Sequence, residues 1–231
     1  MNPIKSPNGG ILLLNKSAGK TSFSLVYHLR KLTGIQKIGH AGTLDPFATG
    51  VMVMLLGKQY TRLSSRFLEQ DKEYLAKIRL GIATDTFDRD GKEIAHSDHI
   101  PTPQEIEHAL KAFQGTISQL PPMYSAKKKN GKKLYELARA GKEVERDPVQ
   151  VTLHTQLLHY EYPYLELSIQ CSKGTYIRSI ADDLGKNLGS YGHVHELIRT
   201  RSGSFHLKDC IQESALLDPQ FNLQKALLTI S

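Results

Sequence analysis

Residues 39–50 read GHAGTLDPFATG, and this stretch is the most informative one in the chain. Three glycines and one proline within twelve residues predict a tightly folded loop. His40, Thr43 and Asp45 are fixed on this loop, and Pro46 disfavours helical geometry at the residue before it. A carboxylate held on a rigid loop is well placed to act as a nucleophile or a base. Spacing alone also permits a second interpretation, in which Asp45 only caps a turn.

The composition is that of a basic globular protein. Of the 231 residues, 39% are hydrophobic and 23% are charged, which argues against disorder and allows a sizeable core. The formal net charge of +7 and the pI of about 9.3 suggest a polyanionic partner. Only two cysteines occur, so a disulfide scaffold and a four-cysteine zinc site are excluded, and we expect the reducing cytoplasm.

The apolar runs are too short for a membrane protein or an exported one. The longest strictly apolar run, at 51–56, has six residues, whereas a membrane helix needs about 20. The run at 11–14 is shorter than the core of a signal peptide, which needs roughly 7–15 residues. We therefore expect no membrane partner and no export signal.

Hydrophobic periodicity predicts both strands and helices. Strands are expected at 11–15 and 73–80, and a hairpin is expected from strands at 149–160 and 164–171. Helices are expected at 22–32, from a capping box at Thr102 and Glu105 onward, and at 175–188. The run at 51–56 fits either a helix or a core strand. Antiparallel pairs mixed with helices, without a regular βαβ alternation, indicate the α+β class.

The stretch 123–147 has eight basic residues and four acidic ones, and its apolar residues are sparse. We expect a loop that carries a short helix. One interpretation is an arm that contacts phosphates, and the other is a solvated basic loop. The basic residues are Lys127, Lys128, Lys129, Lys132, Lys133, Arg139, Lys142 and Arg146.

Several better-known motifs are excluded. Gly19-Lys20-Thr21 resembles a P-loop, but Leu14 stands where that motif needs a glycine. The stretch 85–91 lacks the glutamate of a calcium loop, because Ser97 occupies its position. The chain contains no Gly-x-Ser-x-Gly elbow and no His-Glu-x-x-His metal motif.

The loop at 39–50, taken with four further blocks in order, resembles the TruB family of tRNA pseudouridine synthases. These blocks are GILLLNK at 10–16, the segment 71–91 that begins DKEY, PPMYSA at 121–126 followed by GKKLY at 131–135, and CSKGTYIR at 171–178. The resemblance covers roughly residues 9 to 207. It implies a pseudouridine synthase fold: a mixed, mostly antiparallel sheet flanked by helices, with the basic stretch as an inserted arm. It also implies formation of pseudouridine at position 55 of tRNA.

The resemblance also implies roles for individual residues. Asp45 matches the catalytic aspartate, and Tyr74 matches the tyrosine that stacks on the target base and is implicated in removing the proton from C5. Arg178 matches the arginine that pairs with the catalytic carboxylate, and His40 matches a histidine that helps to hold the everted loop. We expect substrate contacts from a further set of residues: Gly42, Thr43, Lys16, Lys127, Lys128, Lys132, Lys173 and Tyr176.

The implied chemistry requires no redox step, so we expect no cofactor and no metal. The N-glycosidic bond breaks, the base rotates, and it rejoins the sugar through C5. A carboxylate can add to the base, add to the sugar, or abstract a proton from the ribose, and the sequence leaves these three paths open. An aromatic face suits a base taken out of its stack.

The chain departs from the family pattern in two places. Asn15-Lys16-Ser17 stands where the family usually has Asp-Lys-Pro, and bacterial relatives usually carry a C-terminal RNA-binding domain. We expect one catalytic domain at 1–210, with the arm at about 121–148, and a short tail at 211–231 without a domain of its own. The expected partner is the T arm of tRNA, bound by a monomer.

Two other functions compete with the enzymatic one. A non-catalytic module that binds or folds tRNA would need the same basic charge, but it has no reason to retain Asp45, Tyr74 and Arg178 together. Relatives directed by a guide RNA normally carry the C-terminal domain that we expect to be missing here.

Overall fold

The computed structural model describes residues 9–129 and 131–229, and within them it contains fourteen strands and seven α-helices. The strands are β1 (Gly10–Lys16), β2 (Ile38–His40), β3 (Thr49–Leu56), β4 (Lys72–Leu80), β5 (Ile82–Thr84), β6 (Glu93–His96), β7 (Gly115–Gln119), β8 (Lys128–Lys129), β9 (Lys132–Lys133), β10 (Val149–Glu161), β11 (Tyr164–Cys171), β12 (Gly192–Ser202), β13 (Phe205–His206) and β14 (Ile211–Gln212). The α-helices are α1 (Ser22–Thr33), α2 (Lys58–Thr61), α3 (Ser64–Leu68), α4 (Pro103–Leu110), α5 (Leu134–Arg139), α6 (Ile177–Asn187) and α7 (Leu223–Ala226). Short 3₁₀ turns lie at Lys111–Phe113, Leu207–Asp209 and Glu213–Leu217.

Helices α1 and α4 both begin at capping residues. Thr21 caps α1 by accepting a hydrogen bond from the Ser24 N–H, and Gly34 ends that helix in the left-handed conformation. Thr102 and Glu105 form the predicted capping box at the start of α4. The sixth helix begins at residue 177 rather than at the predicted 175. The α+β class is confirmed.

The chain divides into two units. Unit 1 comprises the described residues up to Tyr74 and those from Ile198 onward, and unit 2 is Leu75–Leu197. In unit 1 the strand order is β14-β1-β3-β12, with β2 also paired to β3 and β13 to β12. The β1–β3 pair is antiparallel, whereas β1–β14 and β3–β12 are parallel. The sheet is therefore mixed, as predicted.

Strand β3 is the centre of unit 1. Every residue from Gly50 to Leu56 is buried, so both faces of the strand are covered. A strand that is covered on both faces has a continuous apolar sequence rather than an alternating one, which is why periodicity could not distinguish it from a helix. One face packs in a cluster with residues of β1, α2 and α3: Ile11, Leu13, Val51, Val53, Leu55, Tyr60 and Phe67.

Gly50 allows β3 to approach β12 closely. Its φ is +108°, and a Cβ at this position would lie 2.3 Å from the carbonyl oxygen of Arg199. An alanine would be strained by its φ and would also push the two strands apart. The glycine that ends the stretch 39–50 is therefore required where the loop joins the sheet.

Unit 2 is built on the strand order β12-β4-β11-β10-β7, with α4 and α6 as its two longest helices. The predicted hairpin is confirmed as the antiparallel pair β10–β11. Helix α6 closely approaches the turn that leads into β12, because a Cβ on Gly185 would lie 2.2 Å from the Gly192 nitrogen. The stretch 123–147 contains the hairpin β8–β9 and helix α5, which confirms a loop with a short helix.

The described residues that follow Cys210 pack into unit 1. Strand β14 pairs with β1, and the backbones of Ile11 and Leu228 exchange two hydrogen bonds of 2.8 Å. Leu216 and Leu223 are buried. The division into 1–210 and 211–231 stays a prediction, and both ranges extend beyond the described residues. No helix within 9–129 and 131–229 is long and apolar enough to span a membrane.

Candidate active site

The loop between β2 and β3 is closed by hydrogen bonds of its own backbone. The Ala41 N–H donates to the Val53 carbonyl at 2.9 Å, and the Ala48 N–H donates to the Asp45 carbonyl at 3.1 Å. The tightly folded loop predicted from the glycines and the proline is present, and Asp45 lies half-exposed on it.

The start of α1 holds the residues on both sides of Asp45. The buried Ser22 hydroxyl accepts a hydrogen bond from the Leu44 N–H at 3.0 Å and donates one to the Leu44 carbonyl at 3.1 Å. The Gly19 N–H donates to the Pro46 carbonyl at 2.8 Å. Because both neighbours are held, the backbone of Asp45 has little freedom to move.

Lys16 binds the end of the loop from inside the protein. The residue is 0% exposed, and its Nζ donates to the carbonyls of Ser17 at 2.9 Å, Pro46 at 3.1 Å and Ala48 at 2.6 Å. Burial lowers the pKa of this lysine from 10.5 to about 8, and the carboxylates of Glu213 and Asp45 partly offset that effect. The ammonium group thus supports the loop and interacts electrostatically with Asp45.

Arg199 of β12 binds the beginning of the loop. The residue is 1% exposed, its Nε donates to the Val51 carbonyl at 2.8 Å, and its Nη2 donates to the Gly42 carbonyl at 3.2 Å. Burial, and secondarily the charge of Arg199, lowers the pKa of His40. Two buried cations therefore hold the two ends of the Asp45 loop through its carbonyl oxygens.

Glu213 orders the segment between β1 and α1. Its buried carboxylate accepts hydrogen bonds from the Ser17 N–H at 3.0 Å and the Lys20 Nζ at 2.6 Å. Burial alone would raise the pKa of Glu213, but the hydrogen bonds from Lys20 and Ser17 bring it below its usual value. Residues after Cys210 therefore help to shape the site.

The structure locates the predicted residues of unit 1. Contact of Lys16 with substrate stays a prediction, and in the structure its buried ammonium donates to three carbonyls of the protein. His40 is half-buried at the end of β2, and its Nδ1 has no hydrogen-bond partner among the described residues. Gly42 is half-buried and Thr43 is exposed. Tyr74 lies on β4 with 9% of its surface exposed.

Arg178 is the centre of a second cluster, in unit 2. It is the second residue of α6 and is 5% exposed. Its Nη1 donates to the Thr86 carbonyl at 3.0 Å and lies 3.5 Å from Asp88 Oδ2, and its Nη2 donates to the Tyr124 carbonyl at 2.8 Å. The other oxygen of Asp88 accepts hydrogen bonds from the Thr86 hydroxyl at 2.7 Å and the Asp90 N–H at 3.1 Å. The guanidinium is therefore held in one orientation.

Gln119 fixes the start of α6. Its side chain is fully buried, accepts a hydrogen bond from the Tyr176 N–H at 2.8 Å and donates one to the Tyr176 carbonyl at 3.1 Å. The predicted contacts Lys173 and Tyr176 precede the helix, the first exposed and the second half-buried.

The basic residues of the arm fall into two groups. Lys128 and Lys132 are exposed and Lys127 is half-buried. Two others serve the arm itself: Lys129 pairs with Asp147 at 3.4 Å, and Arg146 donates to the Pro121 carbonyl at 3.2 Å and pairs with Glu143 at 3.1 Å. The eight positive charges are thus not equally available to a ligand.

Sequence reasoning missed three buried polar residues. Asp88 had a signal, because it belongs to the block Asp85-Thr86-x-Asp88. Arg199 and Gln119 had none, since each is one polar residue in a strand that the sequence analysis left unassigned. Among residues 9–129 and 131–229, no group of histidine, cysteine, aspartate and glutamate is arranged to hold a metal ion.

The fold places the chain in a class of RNA-modifying enzymes, the pseudouridine synthases. It is similar to the structure of a Cbf5-Nop10-Gar1 complex, with a TM-score of 0.71, 27% identity, and coverage of 94% of this chain and 60% of that one. It is also similar to an H/ACA RNP bound to a substrate RNA containing 2'-deoxyuridine, with a TM-score of 0.65 and 27% identity over 88% of this chain. The chain spans half to three fifths of the length of these two proteins.

Family models and curated relatives define the family. Residues 30–177 match the N-terminal domain of TruB family pseudouridylate synthases, and residues 178–228 match a C-terminal domain of tRNA pseudouridylate synthase B. The tRNA pseudouridine synthase B of Protochlamydia amoebophila is 59% identical, over 95% of this chain and 83% of that protein. The enzyme of Chlamydia abortus is 57% identical, over 93% and 91%. The chain therefore belongs to the TruB family of pseudouridine synthases, as its motifs predict.

The burial of Lys16 predicts a pH-dependent contribution to stability. Its pKa is about 8 in the folded protein and 10.5 in its ordinary state, so between these values the unfolded chain binds more protons. This residue therefore makes the free energy of unfolding rise with pH in that window, and it contributes no slope at lower pH, where both states are charged. Lys16→Met should remove that rise, and it should also destabilise the protein by at least about 2 kcal/mol because three carbonyls lose a donor.

The measurement is urea denaturation from about pH 7 to about pH 10. The control is Lys225→Met, which alters an exposed lysine of the same unit. The free energy of unfolding should rise with pH in the wild type and in Lys225→Met, and this rise should be absent in Lys16→Met. Identical pH profiles in all three proteins would show that the pKa of Lys16 is not lowered by folding.

Proposed function

We propose that this protein isomerises uridine 55 in the T arm of tRNA to pseudouridine, with Asp45 as the catalytic carboxylate. Relatives that are 57–59% identical over most of the chain are tRNA pseudouridine synthases B. The observation that carries the proposal is the fixation of the Asp45 loop by the buried cations Lys16 and Arg199. A module that only binds RNA has no use for a carboxylate held in this way, whereas catalysis depends on such positioning.

The proposed chemistry uses the carboxylate at the glycosidic bond. The bond from C1' to N1 breaks, the base turns, and a new bond forms between C1' and C5. The C5 proton is then released and N1 takes up a proton, so the net reaction is an isomerisation. Asp45 adds to the base, adds to the sugar or removes a proton from the ribose, and each of these steps requires it in the anionic form. A loop fixed before the substrate binds avoids an entropic cost during the reaction.

Other residues have proposed roles in holding the base and the RNA. We assign Tyr74 to stacking on the target base and to removal of the C5 proton, and His40 to holding the everted loop. Pairing of Arg178 with the catalytic carboxylate stays a prediction, and its support is the burial of its guanidinium. The remaining proposed contacts are Lys16, Gly42, Thr43, Lys127, Lys128, Lys132, Lys173 and Tyr176. We place the activity in the cytoplasm and assign it to a monomer.

Asp45→Asn should abolish pseudouridine formation while tRNA affinity stays within a few-fold of wild type. The change keeps the shape of the side chain but removes the charge that the chemistry needs. The measurement is positional mapping of pseudouridine in an unmodified tRNA transcript, with binding measured in parallel. Asp98→Asn, which alters a carboxylate that is 95% exposed, serves as the control and should modify position 55 normally. Turnover by Asp45→Asn near the wild-type rate would show that the carboxylate is not catalytic.

Lys128→Ala combined with Lys132→Ala should weaken tRNA binding and reduce its dependence on salt. Each phosphate contact that is lost flattens the slope of log affinity against log salt by up to about one unit. The charge-matched control is Lys31→Ala with Lys111→Ala, two exposed lysines outside the arm. An isolated T-arm hairpin should be a substrate of the wild type. Two outcomes would show that the arm is only a solvated loop. One is an unchanged salt slope in the arm variant, and the other is a hairpin that fails as a substrate while whole tRNA succeeds.

A further inference from the structure

Lys72 is a buried cation that lies two residues before Tyr74 on β4. It is 6% exposed, although a lysine is almost never fully buried unless its charge is paired. Residues two positions apart in a strand point to the same face, and the burial pattern of β4 places Lys72 and Tyr74 together on the buried face. The lysine is therefore the neighbour of Tyr74 on the side of the strand from which that tyrosine projects.

The ammonium of Lys72 binds the end of α3. Its Nζ donates to the carbonyls of Phe67 at 3.4 Å, of Leu68 at 2.7 Å and of Gln70. The last carbonyls of a helix lack a partner within the helix, and a lysine side chain is well suited to bind them. Lys72 thus fixes the end of α3 relative to β4.

The same end of α3 packs against the beginning of the loop between β2 and β3. Phe67 and Ala41 lie in one core cluster. A Cβ on Gly42 would be 4.0 Å from the Leu68 side chain, which places that side chain beside the loop. Lys72 therefore holds the two residues of α3 that lie against the start of the catalytic loop.

A second connection joins β4 to the same loop through β12. The Thr200 hydroxyl donates to one oxygen of the Glu73 carboxylate at 2.9 Å, and the Arg201 Nε lies 3.7 Å from the other oxygen. The preceding residue of β12 is Arg199, which binds the Gly42 carbonyl. The strand is thus connected to the loop on two sides, through α3 and through β12.

The two connections close a ring of contacts that includes the carriers of both proposed catalytic side chains. The loop carries Asp45, β4 carries Tyr74, and the residues of the ring all belong to unit 1. Catalysis is sensitive to a displacement of about 1 Å, so the separation of these two carriers matters. Without the Lys72 ammonium the carbonyls at the end of α3 lose their donor, so this side of the ring depends on one side chain.

We infer that Lys72 is a positioning residue that sets the place of Tyr74 relative to Asp45. This inference rests on the proposed function, in which Tyr74 removes the C5 proton, and it adds a residue that acts through the tyrosine rather than on the substrate. The step that uses Tyr74 should be the one that suffers when Lys72 is changed, because the Asp45 loop is also held by Lys16 and Arg199.

The test is a double-mutant cycle on the single-turnover rate of pseudouridine formation at saturating tRNA. It combines Lys72→Met with Tyr74→Phe, which removes only the phenol hydroxyl. Lys72→Arg keeps a charged donor group. The matched control is Lys77→Met, which alters a lysine of the same strand on its opposite face. The urea midpoint and the tRNA affinity of each variant are measured in parallel.

Lys72→Met should lower the rate by about ten- to a hundredfold while tRNA affinity stays close to that of the wild type, and Lys72→Arg should restore most of the rate. The double variant should be nearly as fast as Tyr74→Phe alone, because both changes impair the same step. Deuterium at C5 of the target uridine should slow Lys72→Met more than the wild type, since removal of that proton then limits the rate. Lys77→Met should react like the wild type.

Three results would overturn the inference: a wild-type rate in Lys72→Met, rate losses of the two substitutions that multiply in the double variant, or an isotope effect in Lys72→Met that equals that of the wild type. If Lys72→Met does not fold, Lys72→Gln replaces it in the cycle, because its amide still offers a donor. A wild-type protein that forms no pseudouridine at position 55 would instead contradict the proposed function, so the two failures are distinguishable.

Discussion

The site depends on burying two positive charges against the carbonyl oxygens of one loop. Lys16 binds the carbonyls of Pro46 and Ala48, and Arg199 binds that of Gly42, so the loop is held at both ends. Burial of an ammonium is costly, as the lowered pKa of Lys16 shows, and it is tolerated because three carbonyls and two nearby carboxylates compensate. As a result, the backbone of Asp45 is fixed before RNA binds.

Much of the fold serves to bring these two cations to the loop. Lys16 lies on β1 and Arg199 lies on β12. Both strands pair with β3, which begins where the loop ends. Gly50 is the residue that lets β12 approach, and Glu213 orders the segment that follows Lys16. Unit 2 also contains a buried cation that is bound by backbone oxygens, since two carbonyls and Asp88 hold the Arg178 guanidinium. Buried cations satisfied by backbone oxygens are thus the common means of fixing charged groups in this protein.

Elements of secondary structure that depend on short-range sequence patterns were predicted from the sequence. Buried polar contacts between residues far apart in the chain were missed. The capping box of α4, the alternation in β4 and the hairpin β10–β11 follow from short-range rules, and all are present. The strand at 51–56 was ambiguous because it is buried on both faces. The carbonyl partners of Lys16 were missed, since nothing in its neighbours reveals that the chain thirty residues later supplies them. Arg199 was missed for the same reason.

Native-state hydrogen exchange of the protein without RNA tests the central claim most directly. The amides of Ala41, Leu44 and Ala48 donate to Val53, Ser22 and Asp45 respectively, and they report on the beginning, middle and end of the loop. If the buried cations fix the loop in advance, these amides exchange with protection comparable to that of the central strand β3. Exchange near the rate of an unstructured peptide, while β3 remains protected, would show that the loop is ordered only by RNA and would contradict the account.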